Sequence, residues 1–311
     1  MKEYTFLEGP LASNFTYAFE QSLFNLEEHR ILQAPSGWRS FYVTRKGNSS
    51  IAGHIHFHVH GVKAQSPLRG TFGSMEFSDR LSVKVLYDFM EFVEASLADK
   101  GVKNIVIKNP PVGHHPYRIS LLQVILMNLG YRITVAEIGA LLDVENFETS
   151  LYSSEKQKLK KAAEAGLRFA HCDLKELDTV YSFILSCRKE RHQDLSMTFD
   201  EVSKAVSIFP DSYLLFAVRE GDALAAASIS VRISGDIVYN LFLGHSGRYN
   251  SLSPAVMLIR GICNYARLNQ CGILDLGTSA LHGKPNFPLL AFKLRLGADP
   301  SEKLTFEKQL P

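Results

Sequence analysis

A chain of 311 residues, 46% apolar and 21% charged, has material for two cores, and its net charge of +2 excludes a general attraction to nucleic acid or an anionic membrane. No apolar run approaches the roughly 20 residues of a membrane span, and the first ten residues hold too short an apolar stretch for a secretory signal. The four cysteines (Cys172, Cys187, Cys263 and Cys271) stand apart without a CxxC pair, which predicts reduced, mostly buried thiols of a cytoplasmic protein rather than a disulfide frame or a zinc site.

Residues 12–29 predict an amphipathic helix, with Phe15, Phe19, Leu23 and Leu26 on one stripe. Residues 40–45 and 51–60 predict two strands joined by a turn at 46–50. Residues 66–76, with Pro67, Gly70 and Gly73, form a loop. Residues 78–100 then predict a long helix that buries Val85, Phe89, Phe92, Val93 and Leu97 and ends at Gly101, which tolerates positive φ. A buried strand follows at 102–108, a loop at 109–113, a helix at 117–129 closed by Gly130, and an extended segment at 131–144. The character then changes. Lys156, Lys158, Lys160 and Lys161 crowd a polar helix over 147–165 that ends at Gly166. This places a domain boundary between 1–146 and 147–311. A strand at 167–171 and helices at 174–191 and 198–208 come next.

The second half repeats the pattern of the first. Ser212-Tyr-Leu-Leu-Phe-Ala-Val-Arg219 answers Ser40-Phe-Tyr-Val-Thr-Arg45, 172 residues later. Residues 223–233 answer 51–60, the predicted helix 253–269 answers 78–100, and the strand 273–276 answers 105–107. A repeat of this size signals duplication of a whole α/β unit, not a solenoid. Hairpins followed by helix, strand and helix predict mixed sheets with helices on their faces, an α/β class in two tandem units. No GxxxxGK[ST] or GxGxxG follows a strand, which disfavours a nucleotide-binding fold.

Four stretches carry a resemblance to a known family. They are the basic segment 150–166; the segment 180–192 ending in Arg191-His192; the loop 243–254 with its helix 253–269; and Asp275-Leu-Gly277 with Phe292-Lys293 and Gly297-Ala298. In this order they resemble the acyl-CoA N-acyltransferase (GNAT) fold used twice, and more closely the FemABX-like tandem GNAT proteins. The likeness is good over 147–300 and weak over 1–146. It implies transfer of an acyl or aminoacyl group to an amine. The donor is acyl-CoA or a charged tRNA, and the acceptor is a small molecule or peptide held in the groove between the halves. No metal is implied. The inserted coiled-coil arm of the tRNA-dependent ligases is missing from the sequence.

The same resemblance assigns roles. Strand amides near Leu243, Gly244 and His245 meet the donor's pantetheine arm and its oxyanion, and the next loop and helix N-terminus hold the pyrophosphate. Arg248-Tyr-Asn-Ser-Leu-Ser253 fits the spacing of that loop, with Ser251 and Ser253 in place of its small residues. Ser253 also suits an N-cap and Pro254 the first helical position, so an ordinary capped helix is the alternative. Many GNAT enzymes carry a tyrosine acid on the last helix. Residues 286–296 hold none, which leaves Tyr249 and Tyr239 as substitutes. Asp275 is either a base or a carboxylate satisfied by nearby amides. Lys293 meets a substrate phosphate or carboxylate, or is a solvated helix residue. Arg191 is a candidate for binding substrate and His192 for moving a proton, against the plainer role of charge at a helix C-terminus. Arg69, in a first-half loop that lacks the donor spacing, is left as an acceptor contact. His54, His56, His58 and His60 alternate on one strand face, read as a polar cleft-lining or solvent face; adjacent imidazoles could chelate a metal, but no carboxylate or cysteine stands beside them in sequence to complete a site. His114-His115 reads as a surface loop, and the lysine run 156–161 as a solvated helix face or a contact for tRNA phosphates. A catalytically degenerate pair acting as a binding module is the non-enzymatic alternative.

Overall fold

The computed structural model describes residues 3–47, 49–281 and 284–311; Met1 and Lys2, and Asn48 of the expected 46–50 turn, lie outside the described residues. The chain divides into two compact units, Met1–Glu137 with Glu302–Pro311, and Ile138–Ser301. These differ from the expected 1–146 and 147–311. The extended segment at 131–144 is one unbroken strand that runs out of the first unit into the second, and the last ten residues return to the first.

Unit 1 contains β1 (Tyr4–Glu8), β2 (Thr16–Tyr17), α1 (Glu27–Gln33), β3 (Trp38–Arg45), β4 (Ser50–His60), β5 (Lys63–Ser66), β6 (Glu76–Phe77), α2 (Val83–Asp99), β7 (Asn104–Lys108), α3 (Pro116–Asn128) and the start of β8 (Arg132–Asp143). Strands β1, β3, β4 and β5 are antiparallel neighbours, and β5 pairs β7 in parallel through the crossover helix α2. The expected helix over 12–29 does not form. Thr16 and Tyr17 pair with β4 instead, and the helical part shrinks to one short turn at Leu23–Asn25 and α1. Pairing with a neighbouring strand overrides the weak helical period of that segment. Helix α2 starts five residues later than expected, where the Ser82 hydroxyl accepts from Val85 N at 3.4 Å as an N-cap. Its buried face, with Leu86, Phe89, Met90, Val93 and Leu97, packs with Phe41, Phe57 and Ile105 of the strands.

Unit 2 continues with α4 (Phe147–Ser150), α5 (Ser153–Glu164), β9 (Arg168–Cys172), α6 (Leu177–Lys189), α7 (Phe199–Ile208), β10 (Tyr213–Glu220), β11 (Ala223–Arg232), β12 (Ile237–His245), α8 (Pro254–Leu268), β13 (Ile273–Thr278), β14 (Ala280–Leu281), β15 (Lys284–Pro285) and α9 (Phe287–Arg295), before β16 (Asp299–Gln309). The helix expected at 147–165 is broken in two, because Tyr152 N leaves the helix to bond Arg295 O. The strand order is β8-β13-β12-β11-β10-β9, antiparallel except for the pair β12–β13, which α8 connects. Helix α8 packs on one face of this sheet; α6 contacts β11 and β12. All four cysteines are free and buried. Among the described residues no helix is long and apolar enough to cross a membrane.

The duplication is visible in these elements. Antiparallel β3-β4-β5, crossover helix α2 and parallel β7 correspond to antiparallel β10-β11-β12, α8 and β13. The last strand of each repeat completes the other repeat's unit: residues 138–143 of β8 pair β13, and residues 305–309 of β16 pair β7.

Candidate functional site

The two parallel pairs joined by crossover helices differ in one respect. In unit 1, β5 and β7 pair over the whole of β5, from Lys63↔Asn104 to Ser66↔Ile107. The loop that follows is tied to the strand ends. Gly73 N donates to Lys108 O at 3.0 Å, Ser74 N to Ser66 Oγ at 3.0 Å, and Ser74 Oγ to Asn109 Oδ1 at 2.6 Å. In unit 2, β12 and β13 pair only at Ile237↔Ile273, Val238↔Leu274 and Tyr239↔Asp275. Residues 240–245 of β12 continue alone on that side. Main-chain groups on the side away from β11 therefore face a notch rather than a partner strand.

The cause of the splay lies in Asp275-Leu-Gly277. Gly277 takes φ +73, open to glycine at little cost, and Asp275 Oδ1 accepts from Gly277 N at 2.7 Å. Opposite, Asp275 pairs Leu141 and Thr278 pairs Gly139, so two residues of β13 face one of β8. This is a bulge, and it bends β13 away from β12. Lys293 fastens the bend from α9, its Nζ donating to Gly277 O at 2.8 Å and to Thr278 O at 3.0 Å.

The notch opens into a cleft of ≈ 390 Å³. Leu241, Leu243, Leu276, Leu289 and Phe292 make its apolar wall, and Arg188, Arg191, His245 and Lys293 bring positive or ionisable groups to it. No acidic side chain lines it among the described residues. Arg191 donates from Nη2 to His245 Nε2 at 2.9 Å and to His245 O at 3.0 Å. The imidazole thus accepts at Nε2 and carries its proton on Nδ1. Burial, followed by the charges of Arg191 and Arg188, pushes the His245 pKa down to about 4. Burial likewise pushes Lys293 down to about 8, against the opposing pull of Asp275. Arg188 donates to Gln193 Oε1 at 2.7 Å while its Nε has no partner.

The other expected residues are distributed as follows. Asp275 is 1% exposed and lies beneath the cleft rather than on its wall, serving the Gly277 amide. Gly244 packs against helix α6, where a Cβ would come within 3.0 Å of Ile184 Cα, so that position has room for no side chain. Tyr249 is buried, its hydroxyl donating to Glu220 Oε2 at 2.9 Å, and that bond raises its pKa. His192 sits at φ +53 just beyond the end of α6, exposed and away from the cleft. Its sequence neighbour Arg191 lines the cleft. Arg69 lies in unit 1, exposed on the loop tied to Gln33.

The expected phosphate loop folds as a 3-10 turn over Gly247–Leu252, leading to Ser253 at φ +50 and α8 at Pro254. Ser253 occupies the N-cap position, yet its side chain caps nothing; its carbonyl accepts from Val256 N. Around this junction stand Arg248, whose guanidinium lies 5.3 Å from the Tyr249 ring centre, and Lys161 of α5, whose Nζ donates to Ser251 O at 3.1 Å. In the lysine run, Lys158 instead pairs with the fully buried Glu155 at 2.8 Å.

The histidine stripe departs furthest from expectation. His54 and His56 are buried in unit 1, and a carboxylate does stand beside them, supplied by β6: Glu76 Oε2 lies 2.9 Å from His54 Nε2. His60 alone of the four is exposed. No cluster suited to a metal ion occurs among the described residues.

Sequence reasoning missed Arg188 and the bulge at Gly277. Asp275-x-Gly277 was a usable signal for the latter, because aspartate two residues before a glycine caps a turn.

Residues 152–286 match the family described as the acetyltransferase (GNAT) domain. No curated protein matches the sequence. Among solved structures, FemX aligns over 94% of this chain and 93% of its own, at 14% identity and TM-score 0.72. A C-terminal domain of a putative lysylphosphatidylglycerol synthetase from Agrobacterium fabrum aligns over 83% and 82%, at 13% identity and TM-score 0.57. A tandem GNAT protein from the clavulanic acid biosynthesis pathway aligns over 88% and 82%, at 10% identity and TM-score 0.52. The chain has the mixed α/β GNAT fold, similar to FemX and to tandem GNAT proteins over most of its length.

Proposed function

We propose that this GNAT-fold chain transfers an acyl group from acyl-CoA to an amine, with the chemistry in the unit 2 cleft. The observation that carries the reading is the notch where β12 runs on without β13. Its free main-chain edge suits an extended amide-bearing arm such as pantetheine, and N–H groups near Leu243 suit the oxyanion of the tetrahedral intermediate. Lys161, Arg248 and the N-terminus of α8 gather positive charge where the diphosphate of such a carrier would lie.

In the reaction the amine attacks the thioester carbonyl, the C–N bond forms, the C–S bond breaks, and one proton leaves the nitrogen as the thiolate departs. A group that handles this proton should have a pKa near neutrality. Lys293, at about 8, meets that condition and His245, at about 4, does not. Tyr249 is committed to Glu220. Lys293 is therefore the proton-handling residue of this proposal. Arg188 and Arg191 favour an acceptor that carries a carboxylate or phosphate besides its amine.

A second reading, aminoacyl transfer from tRNA to a peptidoglycan precursor or peptide, is favoured by the 3-10 turn in place of a glycine-rich phosphate loop and by the basic surface at Lys161 and Arg248. Thermal melting with CoA, acetyl-CoA, longer acyl-CoAs and charged tRNA separates the two, because a ligand selective for the folded state raises the melting temperature. A rise with acyl-CoA that Leu243→Pro abolishes is the expected result. Stabilisation by charged tRNA alone would transfer the proposal to the second reading.

A further inference from the structure

Unit 1 holds a cleft of ≈ 680 Å³ that plays no part in the chemistry above. Phe15, Tyr17, Trp38 and Tyr42 bring aromatic rings to its walls, and Arg30 of α1 lines it. Arg30 is only 8% exposed. An arginine so buried normally has a carboxylate against it. Here no ion pair to Arg30 forms among the described residues. Its Nη1 donates to Ser40 Oγ at 3.1 Å, the Tyr42 hydroxyl lies beside it, and its Nε has no partner.

Ser40 cannot compensate that charge, because its own hydroxyl is committed inward. His56 Nδ1 lies 2.9 Å from Ser40 Oγ, His56 Nε2 lies 3.0 Å from His54 Nδ1, and His54 Nε2 lies 2.9 Å from Glu76 Oε2. With Arg30 donating to Oγ and Glu76 accepting as a carboxylate, the order of donors is fixed: Ser40 to His56, His56 to His54, His54 to Glu76. The negative end of this chain is Glu76, three groups removed from Arg30, and its other oxygen accepts from Ser22 N at 3.0 Å. The remaining charges on the cleft wall are Glu8, Arg39 and Glu27. Glu8 and Arg39 pair with each other at 2.8 Å, and Glu27, exposed one turn earlier on α1, attracts Arg30 across space without forming an ion pair.

We propose that this cleft is a second ligand site, taking a singly charged carboxylate on an apolar or aromatic body, with Arg30 as its direct counter-ion and Ser40 as a fixed polar neighbour. A guanidinium that meets neutral hydroxyls and keeps an unpartnered Nε matches one negative charge. Glu27 on the wall opposes a phosphate with two charges more than a carboxylate with one, and the aromatic rings supply surface for an apolar body.

Trp38 is the only tryptophan of the chain, and it lines this cleft, so intrinsic fluorescence reports occupancy directly. The full chain is titrated with 3-phenylpropionate, with its neutral isostere 3-phenylpropanamide and with inorganic phosphate. Saturable change with the acid, with the amide and phosphate at least about tenfold weaker, is expected from a charge-assisted contact. Arg30→Gln should reduce the acid to the affinity of the amide. Equal binding of acid and amide, tighter binding of phosphate, or no saturable response to the acid would overturn the proposal. The acid–amide comparison uses the native chain, so it decides the matter even where Arg30→Gln fails to fold.

Discussion

Asp275 shows how one residue type supports two readings that chemistry can separate. As a general base it would have to lose and regain a proton; as an acceptor for Gly277 N it needs only an oxygen in the same place. Its burial beneath the cleft and the 2.7 Å bond favour the second. Asp275→Asn should then keep acyl transfer within several-fold of the native rate, while Asp275→Ala should lower both kcat/KM and the melting temperature, costing about 1–3 kcal/mol for the orphaned amide. Loss of turnover in the asparagine variant, with stability intact, would restore the base. Lys293 makes a prediction about stability. Its folded pKa of about 8 lies below the roughly 10.4 of an unfolded lysine. Between these values the unfolded chain binds more protons, so stability rises with pH, and the penalty is complete below about 8. Urea unfolding at pH 7 and pH 10 should show the native chain gaining roughly 2–3 kcal/mol relative to Lys293→Met. His245 acts in a different window. Its pKa is lowered to about 4, so its contribution is lost as pH falls from 6.5 towards 4, a loss that His29 of unit 1 shares.

At the level of elements, the crossover helix α8 was predicted almost to its ends, because its apolar residues recur at helical spacing over four turns. Its seat on the sheet was not legible. Gly261 stands in the middle of that helix, where glycine costs about 1 kcal/mol against alanine. A Cβ there would lie 2.1 Å from the Phe169 ring of β9. Gly261→Ala should therefore destabilise unit 2 by about 1–3 kcal/mol despite the better helix propensity, and Phe169→Leu in the same chain should recover part of the loss. Thermal unfolding of the two single variants and the double variant measures the coupling. The short strand β6 escaped prediction altogether. Two residues carry no periodicity, yet they bring Glu76 to His54 and turn an expected solvent-facing stripe into a buried hydrogen-bonded chain.

For the molecule as a whole, the return of the last ten residues to unit 1 has a direct consequence. Phe306 is fully buried there, and residues 305–309 complete the ladder on β7. Removing residues 302–311 would strip Ile105 and Ile107 of their cover and leave an open edge. Loss of a buried phenylalanine alone costs about 3–5 kcal/mol, so the shortened chain should lose the unit 1 transition in calorimetry, and its soluble yield should fall. Retention of that transition would show that β16 is dispensable.

The sequence by itself determined the duplication, the mixed α/β class and the principal helices, since each is written in local periodicity or in a pattern repeated at a fixed offset. Only the tertiary structure decided where β12 and β13 part, which of Arg191 and His192 reaches the cleft, and which carboxylate meets the histidines. Those outcomes depend on register, on the backbone bend at Gly277 and on partners distant along the chain, and none of these leaves a periodic trace in the order of residues.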